Sequence, residues 1–223
     1  MRDMLFITWA VDPEAVRKLV DERLELDTQT DSSGRPVAFV SAVCFHVTEV
    51  RAGDLPLSSL SFQQVTYRTY VRAGADPAVC FLEMKVNSRM VTAMTSFLSV
   101  PVHYEDIDIA ISAGATGLLD YSVRSAGLRA EAMIDRNDAE ETDGISAEFI
   151  TQRLVGYADA AGGVFRIDVD QPSLDAVNAR VRNVQAPALE RLGLLTPGQS
   201  AQPHSALYVV EGSFGADKPT REW

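Results

Sequence analysis

The run FQQVTYRTYV holds the side chains best suited to chemistry in this sequence. Successive residues of a strand point to opposite faces, so Gln64, Thr66, Arg68 and Tyr70 share one face. An arginine can hold a carboxylate or enolate through two parallel hydrogen bonds, and a tyrosine hydroxyl adds a single donor. We therefore predict that Arg68 and Tyr70 take part in catalysis and that Gln64 and Thr66 contact the substrate. The alternative is an arginine on a solvated sheet face, or one paired with Glu83.

His103 is the candidate general base, because imidazole is the side chain that exchanges protons near neutral pH. Its neighbours Tyr104 and Glu105 are polar, and a loop histidine without a catalytic role is the alternative. His46 lies between apolar residues of a predicted strand, which is typical of a packed histidine. His204 opens the last predicted strand, and we expect a structural role for it.

Three further side chains are candidates for binding a substrate. Arg124 lies on a predicted strand and Tyr121 precedes it by three residues, so their side chains point to opposite faces. Only one of them can line a cavity that also contains Arg68. Arg153 and Tyr157 are four residues apart on a predicted helix and share its face, which makes Arg153 a candidate wall of the site. A solvated helix face is the alternative for Arg153.

The sequence contains no motif of a metal or cofactor enzyme. Its three histidines are far apart, and the spacings His-x-His, Cys-x-x-Cys and His-Glu-x-x-His do not occur. The glycines are not arranged as a phosphate-binding loop, and no Gly-x-Ser-x-Gly motif supports acyl transfer through an activated serine. We therefore predict no metal and no cofactor.

The composition is that of a soluble globular protein. Hydrophobic residues make up 46% and charged residues 23% of the 223 residues. The net charge of −11 argues against a nucleic-acid partner, because phosphate binding requires a clustered basic surface. The apolar stretch at 4–11 is too short to cross a membrane. Cys44 and Cys80 lie in apolar runs, so we expect reduced core thiols.

We expect a cytoplasmic protein from a bacterium whose proteins are rich in Ala, Val and Arg. The expected partner is a small-molecule substrate or ligand, with neither nucleic acid nor membrane involved. A homodimer is expected only because homodimers are common among soluble proteins.

Periodicity and turn residues predict one α+β domain of mostly antiparallel strands at 1–214 and a flexible tail at 215–223. Asp12 and Pro13 begin a short helix, since Asp caps a helix and Pro fits its first turn. Further helices are expected at 88–98, 146–157 and 187–192. Strands are expected at 5–11, 37–50, 62–71, 79–86, 163–169 and 204–213. An antiparallel meander is expected at 104–112, 117–125 and 128–135, followed by an acidic loop at 135–144.

This order of elements resembles the YqjF-like family of uncharacterised proteins, which is grouped with the acetoacetate decarboxylase-like superfamily. The resemblance covers essentially the whole chain and rests on motifs whose order and spacing are moderately specific. They are Trp9, Val11-Asp12-Pro13-Glu14, Phe62, Arg68-Thr69-Tyr70-Val71, Phe81, 87–90, Pro101, Tyr121 with Arg124, Phe149-Ile150-Thr151 with Arg153 and Tyr157, and His204 with Ser205. The resemblance implies an antiparallel β-barrel or cone with external helices and a small-molecule cavity at its centre.

The resemblance also implies which chemistry is missing. Acetoacetate decarboxylases form a Schiff base through a lysine in a Pro-Lys-Lys stretch, and the comparable stretch here is Pro101-Val102-His103. The related enzymes keep their reactive residue in this stretch, which adds to the case for His103. A Schiff base requires an unprotonated amine, and Lys85, on a strand with Glu83 on the same face, is better explained by an ion pair. The family's usual acid and Asn are replaced by Gln64 and Thr66.

Two functions remain open. The first is a small-molecule enzyme that acts on a carbonyl- or carboxylate-containing compound in a lyase- or cyclase-type step, without a Schiff-base lysine. The second is a non-catalytic binding or carrier protein that keeps the cavity. We favour the enzyme, because polar side chains in a dry cavity are costly unless they bind something specific.

Overall fold

The computed structural model describes residues 1–48, 50–52, 55–57, 60–96, 101–114, 117–136, 145–160, 163–216 and 219–223. Most of them lie in strands. The strands are β1 (Arg2–Val11), β2 (Glu25–Leu26), β3 (Gln29–Thr30), β4 (Pro36–Val47), β5 (Val50–Ala52), β6 (Leu55–Leu57), β7 (Phe62–Ala73), β8 (Asp76–Val86), β9 (Val102–Tyr104), β10 (Asp108–Ala113), β11 (Leu119–Arg124), β12 (Arg129–Ile134), β13 (Val155–Ala160), β14 (Gly163–Asp170), β15 (Ala176–Gln185), β16 (Ser205–Glu211), β17 (Gly215–Ala216) and β18 (Thr220–Arg221). The helices are α1 (Pro13–Arg17), α2 (Arg89–Ser96), α3 (Ala147–Thr151), α4 (Pro187–Arg191) and α5 (Pro197–Ser200). No helix in the described ranges is both long and apolar enough to cross a membrane.

A ring of strands forms a cone. Its hydrogen-bonded order is β16, β1, β4, β7, β8, β13 and β14, and β14 pairs in turn with β17. Residues 212–214 connect β16 to β17, so the chain itself joins the two ends of this ladder. Neighbouring strands of the ring are antiparallel except β8 and β13. Backbone hydrogen bonds do not close the ring completely, because β16 and β17 are consecutive segments rather than paired strands.

A cluster of apolar side chains lies inside the cone. Its members on the ring come from β1, β4, β7, β8 and β16, and side chains of α3 and of the connection between β16 and β17 pack with them. They include Met4, Phe6, Phe39, Val43, Phe45, Tyr70, Val79, Leu207 and Val209, with Phe214 packed against them. Because these residues meet although their strands are far apart in the ladder, this face of the sheet is the inner one.

Four further strands of the large sheet, β10, β11, β12 and β15, pack against the outside of the cone. A second apolar cluster fills the space between the two parts and contains Cys44 and Tyr67 from the cone and Tyr121 and Val123 from β11. The Tyr121 hydroxyl donates within 3.3 Å to the backbone oxygen of Cys44. The outer face of the cone is therefore a packing surface.

Helix α3 covers the cone beside Tyr70. The Ser146 hydroxyl caps this helix by accepting the Phe149 N–H at 3.1 Å, and the Phe149 ring lies 4.9 Å from that of Tyr70. After the helix ends, Arg153 folds back and donates from Nε to the Phe149 carbonyl oxygen and from Nη1 to Asp27 Oδ2, at 2.8 and 2.7 Å. Asp27 is itself held by its backbone N–H, which donates to the Tyr70 carbonyl oxygen at 3.0 Å. A buried ion pair thus fastens α3 over the cone.

The structure confirms the predicted class, an α+β fold of mostly antiparallel strands with few helices. The predicted meander is present as β10, β11 and β12, which pair in that order. The helix predicted to reach residue 157 ends at Thr151, and Tyr157 lies on β13 instead. Strand β15 was not predicted.

Three predicted elements fall partly or largely outside the described residues. These are the acidic loop at 135–144, the end of the strand at 37–50 and the end of the helix at 88–98. The segment predicted as a tail contributes β17 and β18, which both pair with β14, and its last residue, Trp223, stacks on Tyr157 with ring centres 5.8 Å apart. In its described part, this segment packs onto the sheet.

The ion pair that fastens α3 should carry more stability than an exposed pair. The Asp27→Asn variant leaves the Arg153 guanidinium, 3% exposed, without its counter-charge. We expect a loss of about 3 kcal/mol in the free energy of unfolding, measured by urea denaturation. The control is Asp120→Asn, whose partner Arg182 is 54% exposed, and it should cost less than about 1 kcal/mol. Equal losses in the two variants would contradict the role given to Asp27.

The C-terminal contact with β14 can be tested at a glycine. A Cβ on Gly163, which has φ +131°, would lie 2.2 Å from the Trp223 backbone oxygen, whereas Gly34, with φ +83°, has nothing within 4 Å. Gly34→Ala should cost about 1 kcal/mol for its backbone conformation alone. Gly163→Ala should cost more, because residue 223 must also move, and it should alter the fluorescence of Trp223. Equal unfolding midpoints for the two variants would show that this contact is absent in solution.

Candidate functional site

A polar row crosses the inner face of the cone. Ser205 of β16 lies directly opposite Thr8 of β1, Thr8 opposite Ser41 of β4, and Ser41 opposite Arg68 of β7. Residues directly opposite in an antiparallel ladder project to the same face. The neighbouring row on this face contains Phe6 of the inner cluster, so the polar row also points into the cone. Side chains from four strands are brought together here by register alone.

Arg68 lies half-buried on the inner face of the cone, and none of the described carboxylates pairs with it. Its Nη2 donates to the Ile150 carbonyl oxygen at 2.5 Å, and its guanidinium carbon lies 5.3 Å from the centre of the Phe6 ring and 5.6 Å from that of Tyr70. Aromatic faces attract a cation, so both rings favour the charge. The Nε atom is buried and has no hydrogen-bond partner among the described residues. Arg68 therefore keeps one buried N–H donor for a ligand.

Tyr70 is the end of a chain of hydroxyl groups. Its Oη lies 2.6 Å from Ser41 Oγ, and Ser41 Oγ lies 2.7 Å from Thr8 Oγ1. All three side chains are at most 1% exposed. Each of the three hydroxyl groups carries one hydrogen, and the two hydrogen bonds between them use two of these hydrogens. One hydroxyl hydrogen is therefore left over. When both bonds run in the same direction, that hydrogen sits at one end of the chain, on Tyr70 or on Thr8.

The direction of this chain decides what Tyr70 can do. If the hydroxyls donate toward Thr8, the spare hydrogen lies beside Ser205, whose Oγ is buried without a partner among the described residues. If they donate toward Tyr70, the phenol keeps its hydrogen and can donate it to a ligand. Reversal requires only rotation of three hydroxyl groups. Tyr70 can therefore act as an acceptor or as a donor.

Thr66 and Gln64 complete the polar part of β7. Gln64 Nε2 donates to Thr66 Oγ1 at 2.9 Å, and Thr66 is 4% exposed. Since Thr66 accepts this bond, its own hydroxyl hydrogen is left for another acceptor. Gln64, Thr66, Arg68 and Tyr70 share a face as the alternation predicts, but Thr66 and Tyr70 are packed rather than solvated.

His103 lies apart from this group. Register pairs Val65 with Lys85 and Lys85 with His103, whereas Thr66 pairs with Met84 and Met84 with Val102. Neighbouring residues of a strand project to opposite faces, so Val102 shares the inner face with Thr66 and His103 does not. His103 is also exposed. The structure does not bring it to Arg68, and its role as a base stays a prediction.

The other predicted binding residues are placed as follows. Tyr121 is buried between the cone and β11, where desolvation raises its pKa well above the ordinary value. Arg124 is exposed on the opposite face of β11, as the three-residue spacing predicts. Arg153 reaches the site only from outside, since its guanidinium carbon lies 4.2 Å from the Phe149 ring and 5.3 Å from that of Tyr70. It holds α3 in place and is already paired with Asp27.

No described amine or thiol is suited to covalent chemistry at Arg68. Lys85 points away from the inner face, and its Nζ pairs with Glu83 at 3.3 Å, as the sequence suggested. Lys18 ends helix α1, and Lys218 lies outside the described residues. Cys44 and Cys80 are free and buried; burial raises the pKa of both thiols, that of Cys80 to about 12. Within the described ranges, no group of three or more His, Cys, Asp or Glu side chains could hold a metal ion.

The hydroxyls of Thr8, Ser41 and Ser205 were not among the residues predicted to line the site. A signal for two of them exists in the sequence. Ser41 alternates with Phe39 and Val43, and Thr8 follows the same pattern after Phe6, so each is a polar residue at an inward position of an apolar strand. Only the register of three strand pairs shows that these hydroxyls lie in line with Arg68.

Solved structures of low sequence identity share this fold. The enduracididine biosynthesis enzyme MppR, in a complex with pyruvate, matches with a TM-score of 0.60 and 13% identity over 96% of this chain and 87% of its own. An acetoacetate decarboxylase-like enzyme from Sphingomonas wittichii RW1 matches with a TM-score of 0.59 and 10% identity over 99% and 91%. Acetoacetate decarboxylase from Legionella pneumophila subsp. pneumophila str. Philadelphia 1 matches with a TM-score of 0.58 and 9% identity over 99% and 83%. At such identities the likeness establishes the fold.

Among curated proteins, no match to this chain is found. The model of the family DUF2071, described as an uncharacterized conserved protein (COG2071), matches residues 1–212. Together with the cone-shaped fold, this match confirms the resemblance drawn from the sequence. The chain belongs to the DUF2071 family and has the acetoacetate decarboxylase-like fold.

Proposed function

We propose that this protein is a small-molecule enzyme that binds a carbonyl- or carboxylate-containing compound inside the cone and acts on it in a lyase- or cyclase-type step. The observation that carries the proposal is the buried Nε of Arg68, which has no partner among the described residues. A buried donor left without an acceptor costs about 1–3 kcal/mol. A bound carboxylate or enolate oxygen would remove this cost and neutralise the guanidinium.

The groups around Arg68 suit a substrate that gains negative charge during reaction. The Nε–H of Arg68, the free hydroxyl hydrogen of Thr66 and, in one orientation of the hydroxyl chain, that of Tyr70 are all donors. Such donors, fixed in place and partly shielded from solvent, stabilise an enolate more than the neutral ketone. The Phe6 ring supplies an apolar wall. The proposed roles are therefore charge stabilisation by Arg68 and proton donation by Tyr70.

The proposed reaction does not proceed through an imine. Val102 rather than a lysine occupies the position on the inner face beside Met84, and Lys85 is engaged with Glu83 on the other face. A noncovalent step, in which the substrate is polarised by Arg68, is the chemistry that these side chains support. The solved complex of MppR with pyruvate makes pyruvate a reasonable probe for this chain.

A non-catalytic binding or carrier protein is the second candidate, and one observation favours it. On β1, β4, β7 and β8, the described side chains that share the inner face with Arg68 include no carboxylate and no imidazole. Proton abstraction next to a carbonyl requires a base within hydrogen-bond reach. A cone without such a base would bind and release its ligand unchanged.

The binding role of Arg68 is testable with pyruvate. We expect Arg68→Gln to weaken pyruvate binding about tenfold or more, as measured by isothermal titration calorimetry, because it removes the charge and the Nε–H. The matched control is Arg72→Gln, which removes the same charge four residues further along β7, where Arg72 donates to the Ala75 carbonyl oxygen. Arg72→Gln should leave the affinity unchanged. Equal affinities of wild type and Arg68→Gln would contradict the proposed site.

Proton–deuterium exchange of the pyruvate methyl group in D2O, monitored by proton NMR, distinguishes an enzyme from a carrier protein. An enzyme that stabilises the enolate should speed the loss of the methyl signal, and Arg68→Gln should abolish this effect; a carrier would bind pyruvate without exchange. Borohydride treatment with pyruvate should leave the protein mass unchanged. A reduced adduct on Lys85 would contradict noncovalent chemistry.

A further inference from the structure

We propose a second ligand site, for a small organic anion with two or more negative charges, in the cleft between the outer sheet and helices α4 and α5. The cleft has a volume of about 750 Å³. Clefts of this size are typical of small-molecule sites. Its walls include Arg124, Arg129 and Arg182 from the sheet and Glu190 and Ser200 from the helices. The site is separate from the inside of the cone and independent of the function proposed for it.

The central feature is a pair of like charges. Arg124 of β11 and Arg129 of β12 are directly opposite each other in the ladder. Both are exposed, and in the described part of the chain neither guanidinium group has a hydrogen bond or an ion pair. Like charges at directly opposite positions destabilise a sheet, and no described carboxylate lies within 4.0 Å of either guanidinium group. In a protein of net charge −11, such a pair is explained by an anion that binds between the two guanidinium groups.

The acidic groups near the pair form no ion pair with it, and two of them have other hydrogen-bond partners. Asp108 is opposite Arg124 on β10, but its carboxylate is not within ion-pair distance. Glu131 accepts a hydrogen bond from Asn183 at 3.0 Å, and Glu190 accepts one from the Ser200 hydroxyl at 2.6 Å.

Arg182 is less available than the pair. It contacts Asp120 at 3.4 Å and Met133 Sδ at 2.9 Å. Arg124 and Arg129 therefore supply the free donors of the cleft. Two guanidinium groups side by side fit two carboxylates or a phosphate group, each of which accepts parallel hydrogen bonds from arginine.

The probes are inorganic pyrophosphate and citrate, titrated calorimetrically into the whole protein. Binding of pyrophosphate alone assigns a phosphate ligand, binding of citrate alone a polycarboxylate, and binding of both a ligand chosen by charge. The Arg124→Ala/Arg129→Ala variant should lose about tenfold in affinity for each arginine removed. The control variant Arg35→Ala/Arg89→Ala removes two exposed arginines elsewhere and should bind both probes with wild-type affinity. The Arg68→Gln variant should also keep wild-type affinity, because Arg68 belongs to the site inside the cone. No binding of either probe, or binding that survives the double substitution, would overturn the site.

A second measurement excludes a merely structural role. If Arg124 and Arg129 repel each other, Arg129→Ala should raise the urea midpoint in anion-free buffer while lowering anion affinity. The Arg129→Lys variant keeps the positive charge but loses the planar guanidinium group with its parallel N–H donors. It should bind the anion more weakly without a rise in the urea midpoint. A lower urea midpoint for Arg129→Ala would show that Arg129 has a stabilising partner and would overturn the proposal.

Discussion

The site depends on one guanidinium group, that of Arg68, which is half-buried on the inner face of an apolar cone. Removing a charge from water is costly, and an unpaired buried charge is rarely tolerated. Arg68 is stabilised only in part, by one carbonyl oxygen of α3 and by the rings of Phe6 and Tyr70. Because its Nε–H is buried and has no partner among the described residues, Arg68 should bind an anion more tightly than a solvent-exposed arginine does. The other features of the site follow from this placement.

Helix α3 is the element that makes the placement possible. It supplies the Ile150 carbonyl oxygen to Arg68, and its Phe149 ring covers Tyr70. The helix is too short to be stable alone. It is held by the Arg153–Asp27 pair, and Asp27 is anchored to the backbone of Tyr70. The Arg153–Asp27 ion pair thus supports Arg68 from outside the cone. Arg68 was predicted to take part in catalysis and Arg153 to be a wall of the site.

Part of this arrangement was predictable because it is encoded locally. The period of two along β7 places Thr66, Arg68 and Tyr70 together, and Asp12 with Pro13 starts a helix, as the cap shows. The end of α3 was not predictable, because the run after Thr151 reads as well for a helix as for the strand it forms.

Strand β15 escaped prediction for a different reason. A register shift at Arg182 interrupts the alternation of apolar and polar residues along β15. Val177, Ala179 and Val181 lie at odd positions before the shift, whereas Val184 lies at an even position after it. The separation of His103 from Arg68 depends on the register between β8 and β9, which no local pattern specifies. The row of Thr8, Ser41 and Arg68 likewise exists only through long-range pairing.

The central claim, that Arg68 offers a buried N–H to an anion, is tested most directly by NMR of the arginine Nε–H groups in ¹⁵N-labelled protein. The Arg68 resonance is assigned by its disappearance in the Arg68→Gln variant. We expect this resonance to exchange slowly with solvent and to shift progressively as pyruvate is added. A resonance that exchanges as fast as those of surface arginines, or that stays in place while pyruvate binds, would contradict the account.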